Sequence, residues 1–295
     1  MTAVLAYEAP WAHPRRVRVQ APCDVDAIGD SAVQCLLMEL ETWPKPGLVS
    51  HVDNGSHDDM DAGTFRRSAA AIGPYLQHLA DAAARGCGMG RLRTIGMEAE
   101  AAMLAATSGI NTHRGAIFGL GLLCAAAGAR AGGSVDPELP LGDVVSRLWG
   151  RSILDGPVLL HSHGSAARRQ FRAGGARGEA AKGFPNVYRI GLPALKRAAR
   201  AVPNDAEAAR VEACFALIAS VEDTNLLHRG GLDGLRFARR STRYFLDAGG
   251  VRRPGWRERA RSVHEKFVAR HLSPGGSADL LAMTLFVDAN ERPSS

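Results

Sequence analysis

The chain has 295 residues, 46% of them apolar, which allows a sizeable core in one large domain or two small ones. Its net charge of +6 rests mainly on arginine, since only Lys45, Lys182, Lys196 and Lys266 are lysines; this balance suits an anionic small molecule or nucleic acid. Five scattered cysteines without a CxxC pair argue against a disulfide frame or a zinc site, and the longest apolar run, residues 116–128, is too short to span a bilayer.

In chain order, residues 1–22 read as an irregular N-terminal segment and residues 23–295 as one helical domain. The first stretch carries Glu8 and two prolines ahead of its basic cluster, which is not the pattern of a signal peptide, so a cytoplasmic protein is expected. Asp24 is placed to cap a helix with Val25, Ile28, Cys35, Leu36 and Leu40 on one face. That helix stops near Thr42, because Pro44 and Pro46 on either side of Lys45 forbid its continuation. A polar loop follows with Asp53, Asn54, His57, Asp58, Asp59 and Asp61. Thr64 is the expected cap of the next helix, and Gly73-Pro74 its expected kink.

Residues 85–90 read as a glycine-rich turn and residues 92–106 as an alanine-rich helix, which leaves a homodimer interface or the core as its use. Asn111 or Thr112 should cap a helix to about Ala127 whose Gly115, Gly119 and Gly121 would weaken it on a surface but permit close packing inside a bundle. A short helix is expected over 141–149, then a glycine- and arginine-rich stretch to residue 183 with His161, His163, Arg168, Arg169, Arg172, Arg177 and Glu179. Further helices are expected over 193–201, 205–220, 232–247, 254–271 and 280–287, with a polar interruption at 222–231 and a helix cap at Ser277-Ala278-Asp279. With no run of alternating strands, the expected fold is all-α: a single globular multi-helix bundle with active-site loops at helix ends.

No GxxxxGK[ST], HExxH or GxSxG occurs, and no GxGxxG follows a strand, since Gly119 and Gly121 lie within an expected helix. A phosphate would therefore be held by loops and helix tips. Each polar loop has two readings. Asp59 and Asp61 suit magnesium, which needs only one or two carboxylates beside substrate phosphates, or they cap and solvate a connector. Lys45 on its stiff backbone suits a phosphate, or is an ordinary exposed lysine. Residues 111–114 make an anion-binding helix tip or a plain first turn. The arginines of 161–183 make a triphosphate clamp or a flexible basic loop. Asp223, Asn225, His228 and Arg229 read as a site or as an Asx-turn.

Six motifs then carry a resemblance: PKPGLV (Pro44–Val49), NGSHDDMD (Asn54–Asp61), NTHRGAIF (Asn111–Phe118), GEAAKGFP (Gly178–Pro185), DTNLLHRGG (Asp223–Gly231) and SPGGSADLLA (Ser273–Ala282). In this order, over about residues 25–290, they resemble the triphosphoribosyl-dephospho-CoA synthases, and the layout is most similar to the type serving malonate decarboxylase rather than citrate lyase. The resemblance implies a helical pentosyltransferase that moves the 5-triphosphoribosyl unit of ATP to the 2′-hydroxyl of 3′-dephospho-CoA and releases adenine. The product would be the precursor of the prosthetic group of an acyl-carrier subunit.

It further implies Mg2+ on Asp59 and Asp61, with Glu39 or Asp223 beside them, and phosphates on Lys45, Arg114 and an arginine among Arg168, Arg172 and Arg177. Asn111, Asn225 and Arg229 join the substrate-binding set, His57 or His113 is the acid–base group, and Glu179 and Asp223 are the candidate carboxylates near C1′. Neither nucleic acid nor a membrane is an expected partner. Two rival readings are a magnesium-dependent helical N-ribosyl hydrolase and a non-catalytic helical module that binds nucleic acid through its arginines.

Overall fold

The structure, a computed structural model, describes residues 25–156 and 175–291. Asp24, the segment 1–22, His161, His163, Arg168, Arg169 and Arg172 lie outside the described residues. The described residues form eleven α-helices and no strand: α1 (Val25–Leu40), α2 (Ala62–Ala84), α3 (Met89–Ala106), α4 (Arg114–Ala131), α5 (Leu141–Asp155), α6 (Gly175–Ala181), α7 (Leu192–Ala201), α8 (Ala206–Ser220), α9 (Thr224–Asp247), α10 (Trp256–Val268) and α11 (Gly275–Asn290). A π-helical turn, Val187–Gly191, leads into α7, and a 3-10 turn, Gly250–Arg252, precedes α10. The all-α expectation is met.

Two helices organise the bundle. α4 is buried along almost its whole length from Ala116 to Ala129 and packs on α1, α2, α3, α5, α6 and α11. α11 packs on α1, α4, α7, α8 and α9. A helix apolar on every side belongs inside a protein, surrounded by helices with one apolar face. The glycines of α4 set how near its neighbours come. A Cβ at Gly128 would overlap the backbone carbonyl of Ala80 on α2. At Gly115 it would overlap the carboxylate of Asp279 on α11. One contiguous core results, including Ile72, Leu76, Leu120, Phe215, Phe245 and Phe286.

Several helix boundaries differ from the sequence expectation, and the reasons are local. Asp61, not Thr64, caps α2: its Oδ1 accepts from the Thr64 N–H at 2.7 Å and from the Thr64 hydroxyl at 2.8 Å. α2 runs as one helix through Gly73 and Pro74. At the start of α4, Asn111 Oδ1 accepts from the Arg114 N–H at 3.2 Å, while the Thr112 hydroxyl turns to Ser68. α5 continues past Trp149 to Asp155, where the Arg177 side chain donates to the carbonyls of Ile153, Leu154 and Gly156 and so supplies partners for its C-terminal turn. α9 starts eight residues earlier than expected, at Thr224, because Asp223 caps it, and Gly231 (φ 60°, ψ −157°) interrupts it without ending it. α11 likewise begins at Gly275, so Ser277 and Asp279 lie inside its first turns rather than capping it.

Candidate active site

Residues 42–56 hold the chain between α1 and α2 by side chains far apart in sequence. The loop contains a cis Trp43–Pro44 peptide. The Trp43 indole donates to Asp53 Oδ2 at 3.0 Å, and the Gly55 N–H donates to Asp53 Oδ1 at 2.9 Å. His264 of α10 lies 3.2 Å from Asp53 Oδ1 through Nε2 and 2.7 Å from the Lys45 carbonyl through Nδ1. The Lys45 carbonyl at Nδ1 and the Asp53 carboxylate at Nε2 suit the imidazolium, and the Gly47 N–H approaches Nδ1 at a longer 3.3 Å. Burial pulls the His264 pKa down, but the Asp53 carboxylate and the Lys45 carbonyl outweigh it and leave the pKa above its ordinary value. Asp53 is correspondingly lowered to about 2: burial opposes this, and hydrogen bonds from His264 and Trp43 prevail.

This frame turns Lys45 inward. Its side chain is 0% exposed and its ammonium pairs with the carboxylate of Glu39 on α1. Lys45 does not line the cleft, whereas Glu39 does. The stiff proline-flanked backbone thus presents the lysine to a buried carboxylate of its own chain.

The cleft has a volume of about 1000 Å3 and lies where α4, α9 and α11 begin, closed on the remaining sides by α1, α3, α6 and the 48–65 segment. Ten expected site residues line it: Glu39, His57, Asn111, His113, Arg114, Arg177, Glu179, Asp223, Asn225 and Arg229. Lys45, Asp59 and Asp61 do not. Every one of the six motifs contributes a wall, through Leu48, His57, Asn111, Glu179, Asp223 and Asp279 among others.

The two histidines are held differently. His57 Nδ1 lies 3.2 Å from the Arg229 guanidinium, and its Nε2 lies 2.9 Å from the Ser273 hydroxyl. A guanidinium can only donate, so Nδ1 accepts and Nε2–H donates to Ser273, which commits both ring nitrogens. Burial and the Arg229 charge hold His57 below its ordinary pKa, against the pull of Asp59. Arg229 also donates to the carbonyls of Ser56 and His271, tying the aspartate-rich loop to the α10–α11 connection.

His113 is buried, with Phe65 against it edge-on at 5.0 Å between ring centroids. The Thr112 hydroxyl donates to Ser68 Oγ at 2.7 Å, and Ser68 Oγ lies 2.6 Å from His113 Nδ1. This relay has Ser68 donate to Nδ1 and leaves Nε2–H as the proton-bearing nitrogen. Burial, assisted by the Lys45 charge, lowers the His113 pKa to about 4, so the ring is neutral near pH 7. It can then donate a hydrogen bond without bringing a positive charge.

Most carboxylates of the cleft already have partners. Asp223, 1% exposed, accepts from the N–H groups of Asn225 (2.9 Å) and Leu226 (3.4 Å) through Oδ1, and from the N–H (2.7 Å) and hydroxyl (2.9 Å) of Ser277 through Oδ2. It clasps the first turns of α9 and α11 together. Burial still leaves its pKa raised, although those four hydrogen bonds pull the other way. Glu179 accepts from the Asn186 N–H at 2.7 Å and from its side-chain amide at 2.8 Å, and burial raises its pKa. Glu100 holds Arg114, with Nε at 2.6 Å.

Asp279, Glu100, Lys182, Asn186 and Ser273 also line the cleft, and the sequence does not single them out for it. Ser-Ala-Asp after two glycines reads as an ordinary helix start, so the sequence points to a cap at Asp279. Its membership in SPGGSADLLA was the available signal. Asn186 follows the last residue of GEAAKGFP directly.

The residues expected to hold magnesium do not fit a metal bound by the protein alone. Asp61 Oδ1 is occupied by the Thr64 cap, Asp59 is 62% exposed at the side chain, and Glu39 is paired with Lys45. No group of three His, Cys, Asp or Glu side chains among the described residues is arranged to hold a metal ion. No helix among them is long and apolar enough to cross a membrane.

Comparison with known proteins places the chain. The model of the family described as CitG, ATP:dephospho-CoA triphosphoribosyl transferase, matches residues 25–295. A protein of Stutzerimonas stutzeri (strain A1501) named probable 2-(5''-triphosphoribosyl)-3'-dephosphocoenzyme-A synthase is 40% identical over 277 residues, covering 91% of this chain and 93% of the relative. One of Azotobacter vinelandii with the same name is 39% identical, covering 92% and 94%. The 2-(5''-triphosphoribosyl)-3'-dephosphocoenzyme-A synthase of Klebsiella pneumoniae is 38% identical, covering 94% and 95%. No solved structure matches. The chain therefore belongs to the ATP:dephospho-CoA triphosphoribosyl transferase family of enzymes.

Proposed function

We propose that this enzyme transfers the 5-triphosphoribosyl group of ATP to the 2′-hydroxyl of 3′-dephospho-CoA and releases adenine. The observation that carries the reading is the convergence of all six family-like motifs, spread over more than 230 positions, on one cleft of about 1000 Å3. That volume is at the upper end of small-molecule sites, as two nucleotide substrates require.

The reaction breaks a C–N glycosidic bond through a transition state with oxocarbenium character, as in glycoside chemistry. Holding both anions in one cleft accounts for much of such a rate enhancement. Arg114, fixed by Glu100, and Lys182 are the cleft cations suited to the triphosphate. Carboxylates facing the ribose would stabilise positive charge at C1′. His113, neutral, offers Nε2–H as a hydrogen-bond donor to the leaving base. Lys45 acts through Glu39, holding that carboxylate in place. Arg177 secures α5 to α6, and Asp223 secures α9 to α11.

Magnesium would enter with the triphosphate, whose oxygens supply most of its ligands; Asp59 is the exposed carboxylate of the expected set. The product is assigned, from the resemblance, to the acyl-carrier subunit of malonate decarboxylase, with that of citrate lyase as the alternative. Genes adjacent to this one should encode subunits of one of those enzymes.

The test is incubation with ATP, magnesium and dephospho-CoA, followed by mass spectrometry. Adenine release that requires dephospho-CoA, with a heavier CoA product, supports the transferase. Adenine loss without an acceptor favours the N-ribosyl hydrolase, and ADP or AMP formation excludes ribosyl transfer.

A further inference from the structure

We propose that Asp279 is the proton acceptor for the attacking hydroxyl in the cleft. The inference rests on the transfer reaction above and assigns one of its steps to a named group.

Most of the other cleft-lining carboxylates are already held. Glu39 is paired with Lys45, Glu100 with Arg114, and both oxygens of Glu179 are on Asn186. Asp223 is saturated by Ser277, Asn225 and Leu226. Glu222 is exposed. Asp279 differs from all of these: it is partly buried on the cleft wall, and no ion pair holds it among the described residues. The group favouring its charged form is the backbone N–H of Ala116 at the start of α4.

The position is built by the fold. Ser277, two residues earlier on α11, is anchored by Asp223, which sets the register of α11 on α9. On α4, Gly115 leaves the space that the Asp279 carboxylate enters, since any side chain there would overlap it. Burial, together with the charges of Glu39 and Asp223, raises the Asp279 pKa well above that of an ordinary aspartate. A more basic carboxylate is better matched to taking a proton near neutral pH.

In the step itself, the 2′-oxygen of dephospho-CoA forms its bond to C1′ of the triphosphoribosyl unit as its proton passes to Asp279. The C1′–N bond breaks, and adenine leaves with that electron pair. Adenine takes one proton from water, and Asp279 returns one to water, so the sum is one proton moved from hydroxyl to adenine.

The experiment compares wild type, Asp279→Asn and Asp279→Ala in the adenine-release assay with dephospho-CoA. A wild type that releases no adenine overturns the transfer reading itself. With an active wild type, Asp279→Asn should lower kcat by about a hundred- to ten-thousandfold, with KM for both substrates changed less than about fivefold. Added sodium formate, a small external base, should restore turnover to Asp279→Ala severalfold and leave wild type unaffected. Because rescue needs a folded cleft, it separates lost chemistry from lost structure. Retention of wild-type kcat by Asp279→Asn, or a loss confined to KM, overturns the assignment. So does a folded Asp279→Ala, shown by an unchanged thermal melt, that formate does not rescue.

Discussion

Asp223 Oδ2 accepts both the backbone N–H and the hydroxyl of Ser277, at 2.7 and 2.9 Å, across 54 positions of sequence. One carboxylate thereby caps α9 and fixes the first turn of α11. Removing the hydroxyl alone, Ser277→Ala, leaves three N–H donors on Asp223 and should cost about 1 kcal/mol. Asp223→Ala leaves those buried N–H groups without their acceptor and should cost about 3 kcal/mol or more. Urea unfolding of the two variants checks the order; equal losses would show that the clasp does not act as described.

The Lys45–Glu39 pair is buried on both sides. Breaking such a pair from one side strands a charge, which costs about 3–5 kcal/mol, whereas replacing both partners by uncharged groups is often close to neutral. Lys45→Met should therefore be poorly stable, and the Lys45→Met, Glu39→Gln double variant should recover a large part of the loss. Denaturant midpoints of the single and double variants measure the coupling.

His264 and Asp53 make the 42–56 loop sensitive to pH. Because the folded-state pKa of His264 is raised, its stabilisation is complete below the ordinary imidazole value of 6.5 and is lost as pH rises through the raised value. Asp53, lowered to about 2 from 3.8, contributes above its ordinary value and loses that contribution as pH falls toward 2. Glu265 adds to the upward pull on His264. Thermal melts of His264→Gln should lack the fall in Tm that wild type shows from about pH 6.5 upward. A parallel pH profile for the two proteins would exclude the pair as its source.

Two glycines of α4 should respond differently to alanine. At Gly128 the new methyl meets the carbonyl of Ala80, part of a helix backbone that cannot turn aside. Gly128→Ala should cost about 1–3 kcal/mol through overpacking. At Gly115 the new methyl meets the carboxylate of Asp279, a side chain that can rotate away. Gly115→Ala should keep its thermal melt within a few degrees of wild type and lose most of its turnover. Melting curves and adenine release, measured on both variants, decide it.

The sequence alone determined the helical class, most helix positions and the family, because these depend on local periodicity, on proline and glycine, and on contiguous motifs. It also marked ten residues that line the cleft. It did not determine what each polar side chain holds, because a motif orders residues along the chain and leaves their distances in space open. Lys45 is an example: its proline neighbours suggest a presented cation, whereas its side chain turns back to Glu39 at the end of α1. Asp61 and Asp223 are helix caps as well as members of acidic clusters. Asp279 is placed against Gly115 of α4, more than 160 positions away, on a helix whose Ser277 is held by Asp223, 54 positions away. Burial and long-range hydrogen bonding, which decide whether a carboxylate is occupied or available, exist only once α4, α9 and α11 are brought together.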